Sequence, residues 1–161
     1  MNAGELSTRT VVFALAGNTV YHAAELMRRF DVGNVVVVRE KFGRRRPIGI
    51  VTDRDIAIKV VAFGLDARQL DVDEVMVPDV VTVDEQMPIE EAAQVMRRRG
   101  VRRAPVVDER GGLVGILSFD DIVELVAEEM SHLAGLVRRQ QARLNARLIG
   151  TSPEEEIPPP S

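Results

Sequence analysis

The sequence predicts an α/β fold: two βαββα repeats packed pseudo-symmetrically, followed by a long C-terminal helix and a disordered tail. Three observations predict it. The phrase GIVTDRDI (49–56) returns as GILSFDDI (115–122). The stretch TVYHAAELMRRFDVGNVVVV (19–38) returns as PIEEAAQVMRRRGVRRAPVV (88–107), with eight of twenty positions identical. After the second phrase, Ile122, Val126, Met130, Leu133, Val137, Leu144 and Leu148 keep helical spacing to about Leu148, with an interruption near Gly135 left open. A unit that recurs along a chain and cannot bury its apolar face alone is the mark of a repeat architecture.

Each copy has the same rhythm. A short β-rich run opens it, at 11–13 and again at 80–83. A helix follows, with Ala23, Ala24, Met27 and Phe30 at helical spacing in the first copy and Ala92, Ala93, Val95 and Met96 in the second. A buried-looking strand comes next (35–38 or 104–107), then a turn and a second strand (48–52 or 113–118). A second helix opens at Asp55 or Asp121. The long stretches are offset by 69 residues (88 − 19) and the phrases by 66 (115 − 49), so the first copy carries three extra residues. These fall in REKFGRRRP (39–47), which reads as a longer hairpin loop. A unit of about 55 residues buries too little surface to be comfortable alone, so the two copies are expected to pack sheet against sheet and share one core. The expected boundaries are 8–64 for the first repeat, 75–128 for the second, 129–149 for the helical extension and 150–161 for the acidic, proline-rich tail. The apolar stripe of the extension reads either as a dimer contact or as packing back on its own lobe. Its Arg138, Arg139, Arg143 and Arg147 suit a C-terminal helical segment facing water.

Composition excludes several functions. The chain has 161 residues, 45% hydrophobic and 29% charged, an ordinary globular balance. It has no cysteine, which excludes disulfides, thiolate zinc sites and thiol catalysis. No apolar run is long enough to span a bilayer, and MNAGELSTRT lacks the basic start and apolar core of a signal peptide. A soluble cytoplasmic protein with no membrane partner is expected. The net charge of −4 argues against nucleic-acid binding, and the arginine runs at 44–46 and 97–103 read as solvated faces. His22 and His132 are the only histidines. His22 has Glu91 as its repeat partner, an exposed helix position, and neither histidine belongs to a nucleophile arrangement. Asp71, Asp73 and Glu74 read as a solvated loop or helix start rather than a metal site. The chain is not expected to be an enzyme.

The twice-written phrase has a structural reading and a functional one. Thr52-x-x-Asp55 and Ser118-x-x-Asp121 both match a capping box, which stabilises a helix start by roughly 1 kcal/mol with or without a ligand. The same helix start presents free N–H groups that attract phosphate. A hydroxyl there can bond a phosphate oxygen, and a carboxylate one turn in can accept bonds from ribose hydroxyls. Gly49 and Gly115 allow another backbone or a ring to approach closely. Arg54 lies within the first phrase, and Arg102 and Arg103 precede the middle strand of the second copy.

Taken together, the doubled G-h-h-[ST]-x-x-D-h phrase (h, apolar), RRAPVVD (102–108) and the AAELMRR and AAQVMRR helices resemble a tandem pair of CBS (cystathionine-β-synthase-type) domains over residues 8–128. The resemblance implies two lobes sandwiched into a disc, an adenine-nucleotide site in each cleft, and two discs paired as a homodimer. It places a first site at Val11, Val12, Asn34, Thr52, Arg54 and Asp55. It places a second at Val80, Val81, Thr82, Arg102, Arg103, Ser118, Asp120 and Asp121. Gly33 and Asn34 stand where the second copy has Arg102 and Arg103, and Asp120, which repels phosphate, stands in the place of Arg54. The candidate ligands are AMP, ADP, ATP, NAD and S-adenosylmethionine, with no cofactor required. No fused catalytic domain is recognised, so the resemblance implies a ligand sensor acting on an unidentified protein partner in trans. The alternative is a ligand-free structural or dimerisation module.

Overall fold

Val35, Val36, Val37 and Val38 are all fully buried. A strand whose consecutive residues are all covered lies inside a sheet packed on both faces, and that strand anchors the first copy. The structure is a computed structural model and describes residues 1–150. In chain order its elements are α1 (Ala3–Leu6), β1 (Phe13–Leu15), α2 (Val20–Phe30), β2 (Asn34–Lys41), β3 (Arg44–Thr52), α3 (Asp53–Ile56), α4 (Val72–Val75), β4 (Val77–Pro78), β5 (Val83–Asp84), α5 (Ile89–Arg99), β6 (Arg103–Val107), β7 (Leu113–Ser118) and α6 (Phe119–Gly150). A π-helical turn, Ala57–Val61, continues α3. Met1–Ile122 forms one unit, and α6 from Val123 onward belongs to a second. No helix among the described residues is long and apolar enough to cross a membrane. The expected tail lies outside the described residues, except for Gly150, which ends α6.

The helices form where the sequence repeats predict them. Val20, Ala23 and Met27 bury one face of α2, and Ile89, Ala92 and Met96 bury the matching face of α5. The Thr19 hydroxyl accepts the His22 N–H at 3.1 Å to start α2. Left-handed residues end both helices, Asp31 after α2 and Gly100 after α5. The short strands expected at 11–13 and 80–83 begin later, as β1 and β5, each pairing in parallel with the middle strand of its copy. The second helices open at Asp53 and Phe119, two residues before the expected aspartates, and α6 runs on without a break.

Two expectations are corrected. Residues 39–47 are not a long loop: β2 and β3 extend to a two-residue turn at Phe42 and Gly43, both with positive φ. The extra residues lengthen a hairpin. The single core expected is also divided, into two apolar clusters with Val36 and Val38 of β2 fully buried outside both. Each sheet has its own apolar cluster, one around Val35, Val37 and Val51, the other around Met96, Val106 and Leu117.

The copies are joined by exchanged leader segments. The equivalence reaches upstream to α1 and α4, which stand 69 residues apart (72 − 3). Both begin with a capping interaction: Glu5 accepts the Asn2 N–H and Glu74 accepts the Asp71 N–H, each at 2.8 Å. The α1 leader docks on the second copy, where Ala3 N–H bonds Met87 C=O at 2.8 Å and Thr8 bridges Ile116. The α4 leader docks on the first copy, where Val72 N–H bonds Asn18 C=O at 2.8 Å and β4 pairs with β3. The sheet orders are therefore β1-β2-β3-β4 and β5-β6-β7. Glycine is required where each leader crosses. A Cβ on Gly49 would overlap Met76 Sδ and lie 2.9 Å from Val77 O, and one on Gly115 would overlap Ser7 Oγ. This is the close backbone approach the repeated glycine predicts. Gly49→Ala or Gly115→Ala forces a leader off its sheet, at a cost of about 1–3 kcal/mol. Thermal unfolding should show a midpoint several degrees below wild type for each, and an unchanged midpoint would show the leaders to be expendable.

Asp108 ties the two lobes on another side. Its carboxylate accepts N–H bonds from Gly112 (2.8 Å) and Arg110 (2.9 Å) and pairs with Arg44 of β3 at 2.7 Å. The Gly112 N–H, with the Arg110 N–H and the Arg44 guanidinium, holds the carboxyl below the ordinary carboxylate range against partial burial. A depressed native pKa contributes stability above the unfolded-state value of about 4 and loses it as pH falls through the native one. Asp108→Asn should therefore lower the unfolding midpoint at pH 7 and converge with wild type in acid. A gap that persists unchanged into acid would show that the charge is not what matters.

Candidate functional site

The exchanged leaders create two clefts, each built from both copies. The first has a volume of about 350 Å³ and is lined by Thr52, Ile50 and Asn34 of the first sheet, by residues 77–81 of the second leader, and by Val101, Arg102 and Arg103. The second, about 410 Å³, is lined by Ile116, Ser118, Asp120 and Asp121, by Thr8, Thr10, Val11 and Val12 of the first leader, by residues 31–34, and by Arg103. Asn34 and Arg103, equivalent residues that open β2 and β6, line both clefts.

This regroups the expected sites. Val11 and Val12 stand with Ser118, not Thr52, and Val80 and Val81 stand with Thr52, not Ser118. Arg102 lines the Thr52 cleft, and Thr82 lines neither. The cause is the exchange: a leader crosses the other copy's sheet before joining its own. Gly49 and Gly115 were the sequence signal for it. Arg54 is exposed and outside the first cleft's lining. Polar lining residues that the sequence reading missed are Asp79 in the first cleft and Thr8, Thr10 and Asp31 in the second.

The two capping phrases are not equivalent. In the first copy Thr52 Oγ1 accepts the Asp55 N–H and Asp55 Oδ2 accepts the Thr52 N–H, each at 3.0 Å. Asp55 Oδ1 also lies 3.2 Å from Lys59 Nζ, and Lys59 bonds Val75 C=O. Asp55 is thus fully engaged and does not line the cleft. Thr52 does, and its hydroxyl proton remains free to donate to a ligand oxygen. In the second copy Ser118 Oγ accepts the Asp120 N–H at 3.2 Å, and the reciprocal box is not made. Asp121 has no side-chain partner among the described residues and faces the cleft.

Charge separates the clefts further. The first sets Arg102 and Arg103 against Asp79, whereas the second sets Arg103 against Asp31, Asp120 and Asp121. The Arg102–Asp120 pair, 2.6 Å apart and largely exposed, runs from one cleft to the other. An exposed pair of this kind contributes about 0–1 kcal/mol, so a ligand anion can displace it. The first cleft is otherwise apolar, walled by Ile50, Val77, Pro78, Val80, Val81 and Val101. Apolar walls with a few convergent polar groups suit a small organic ligand.

The histidines lie elsewhere, both exposed, His22 on α2 and His132 on α6. Asp71, Asp73 and Glu74 form the capped start of α4. No group of three or more His, Cys, Asp or Glu side chains that could hold a metal ion occurs among the described residues.

Comparison with known proteins agrees with this architecture. The CBS domain profile matches residues 3–62 and 72–128. A Methanopyrus kandleri protein, MK0525, is 38% identical over 125 residues, which are 78% of this chain and 62% of that protein's length. The crystal structure of Hypoxic Response Protein I with two coordinated zinc ions is 33% identical, with a TM-score of 0.67, over 77% of this chain and 98% of that one. The cytosolic domain of the Mg2+ channel MgtE in complex with ATP is 34% identical, with a TM-score of 0.64, over 77% of this chain and 48% of that one. Two capped, glycine-edged βαββα copies joined by exchanged leaders, together with these matches, place the chain in the CBS domain family.

Proposed function

We propose that this chain is a regulatory module that senses an adenine nucleotide (AMP, ADP or ATP) and acts on a protein partner in trans, as a cytoplasmic homodimer without catalytic activity. The observation that carries the reading is the first cleft, which brings the Thr52 hydroxyl, Arg102 and Arg103 to one apolar pocket. The two arginines and Thr52 are suited to phosphate. The base would be read by the backbone of Val80 and Val81, which line the same cleft. The ATP complex of the MgtE domain supports the choice of ligand.

The second cleft suits a different ligand end. Three aspartates disfavour phosphate there, whereas Asp121 can accept bonds from ribose hydroxyls and Ser118 can bond a polar group. Of the candidates, S-adenosylmethionine, with its sulfonium and ammonium charges, fits this cleft better than NAD. A ligand in the first cleft touches the first sheet and the second leader together. It acts as a signal to the extent that it binds two arrangements of those segments with different affinity.

Thermal unfolding in the presence of each ligand tests this. At about 100 times Kd a nucleotide should add about 2.7 kcal/mol, a rise of about 5–10 °C for a chain of this size. Arg102→Ala with Arg103→Ala should abolish the rise. No rise with any of the five compounds would favour the ligand-free interaction module.

Two aspartate variants separate capping from binding. Asp55→Ala should lower the unliganded midpoint, because it removes the acceptor of the Thr52 N–H and the Lys59 partner, a loss of about 0.5–1.5 kcal/mol, and should leave the nucleotide-induced rise intact. Asp121→Ala should leave the unliganded midpoint nearly unchanged and weaken any response to S-adenosylmethionine. Loss of the nucleotide response in Asp55→Ala would place the ribose in the first cleft against the capping geometry.

A further inference from the structure

Beyond Ile122, α6 carries a row of apolar side chains left largely exposed by the described residues. Val123, Val126, Met130, Leu133, Val137 and Leu144 are each 48–66% exposed. They follow alternating steps of three and four residues, with Gln140 completing the row between Val137 and Leu144. Such a row is the seam of a helix that packs against another helix. One flank of the seam carries Glu129, Leu136 and Arg143, and the other carries Ala127, Ala134 and Gln141. Charge is divided along the helix: Glu124, Glu128 and Glu129 in its first half, Arg138, Arg139 and Arg143 in its second.

We propose that this face of α6 pairs antiparallel with α6 of a second copy of the chain. The inference rests on the homodimer reading above and specifies its surface and direction. A parallel pair would set acidic half against acidic half and basic against basic. An antiparallel pair sets each acidic half against a basic one. With Leu133 opposite the partner's Val137, Met130 meets the partner's Gln140 and Val126 meets the partner's Leu144. On the charged flank the same register sets Glu129 opposite the partner's Arg143, twice by symmetry, around a central contact between the two Leu136 side chains. On the other flank the alanines allow close approach. The seam from 126 to 144 covers 19 residues, about 28 Å at a rise of about 1.5 Å per residue.

The native chain has no cysteine, so single-cysteine variants report direction cleanly. Val126→Cys and Leu144→Cys should each fail to cross-link alone in a glutathione buffer and should form a mixed disulfide dimer when combined. Glu129→Arg should weaken the dimer about tenfold by sedimentation, and Glu129→Arg with Arg143→Glu should restore it. Self-cross-linking of either single variant would establish a parallel pair and overturn the proposal. A wild-type dimer whose affinity is unchanged by Leu133→Asp, with helicity retained by circular dichroism, would overturn the helix seam while leaving the homodimer reading intact. A wild-type chain that is monomeric at about 100 μM would overturn both.

Discussion

The pairing of each leader with the other copy's outer strand is the contact on which the rest of the structure depends. The two apolar clusters are separate, and the leaders link them. Ala3 sits in the second cluster, and Val72 and Val75 sit in the first. Removing a leader would therefore open a core as well as break backbone bonds. Gly49 and Gly115 are the points where this requirement reaches the sequence, because a side chain at either position would occupy the space the leader needs. The clefts follow from the same crossing. Each is walled by a leader in transit from the other copy's sheet to its own.

Duplication gives two equal frames, and their chemistry then diverges at a few linked positions. Equivalent backbone bonds survive: Asp53 N–H to Gly33 C=O at 3.0 Å, and Phe119 N–H to Arg102 C=O at 2.8 Å. A Cβ on Gly33 would lie 3.2 Å from the Asp53 carboxylate, which would have to give by a few tenths of an ångström. With Phe119 in place of Asp53, the second copy carries Arg102, whose side chain reaches the Thr52 cleft. Arg102 thus lines the cleft of the opposite phrase, and Arg103 lines both. Lys59 gives Asp55 an ion-pair partner one turn on, which withdraws that carboxylate from its cleft, whereas Asp121 is left facing its own.

The repeat, the helices and the middle strands were legible in the sequence, because each rests on local spacing that one copy confirms in the other; the final helix has no such counterpart, and the spacing left open a break near Gly135 that α6 does not have. What was not legible depends on contacts between copies. The glycines announced a close approach without naming what approaches, so Val11, Val12, Val80 and Val81 were set beside the wrong phrase. The capping phrases look alike in sequence, yet only Thr52 and Asp55 close the reciprocal box. The leader helices α1 and α4 share almost no identity, and their kinship lies in Asn2 with Glu5 and Asp71 with Glu74. Residues 39–47 read as a loop because the three extra residues fall there, but those residues pair across β2 and β3 and lengthen the hairpin instead.

The Arg102–Asp120 pair gives the asymmetry a physical consequence. Its two members line different clefts, 2.6 Å apart. In the proposed reading, a phosphate in the first cleft would compete with Asp120 for Arg102. When the phosphate wins, Asp120 loses its counter-charge and the second cleft becomes more negative. A second anion is then disfavoured and a cationic ligand favoured, although no backbone need move. The coupling is reciprocal by linkage: a cation held among Asp31, Asp120 and Asp121 loosens the claim on Arg102 and leaves it freer for phosphate. Two equal clefts would only count occupancy. In the proposed reading, two clefts of opposite charge linked by the Arg102–Asp120 pair would respond differently to anionic and cationic ligands.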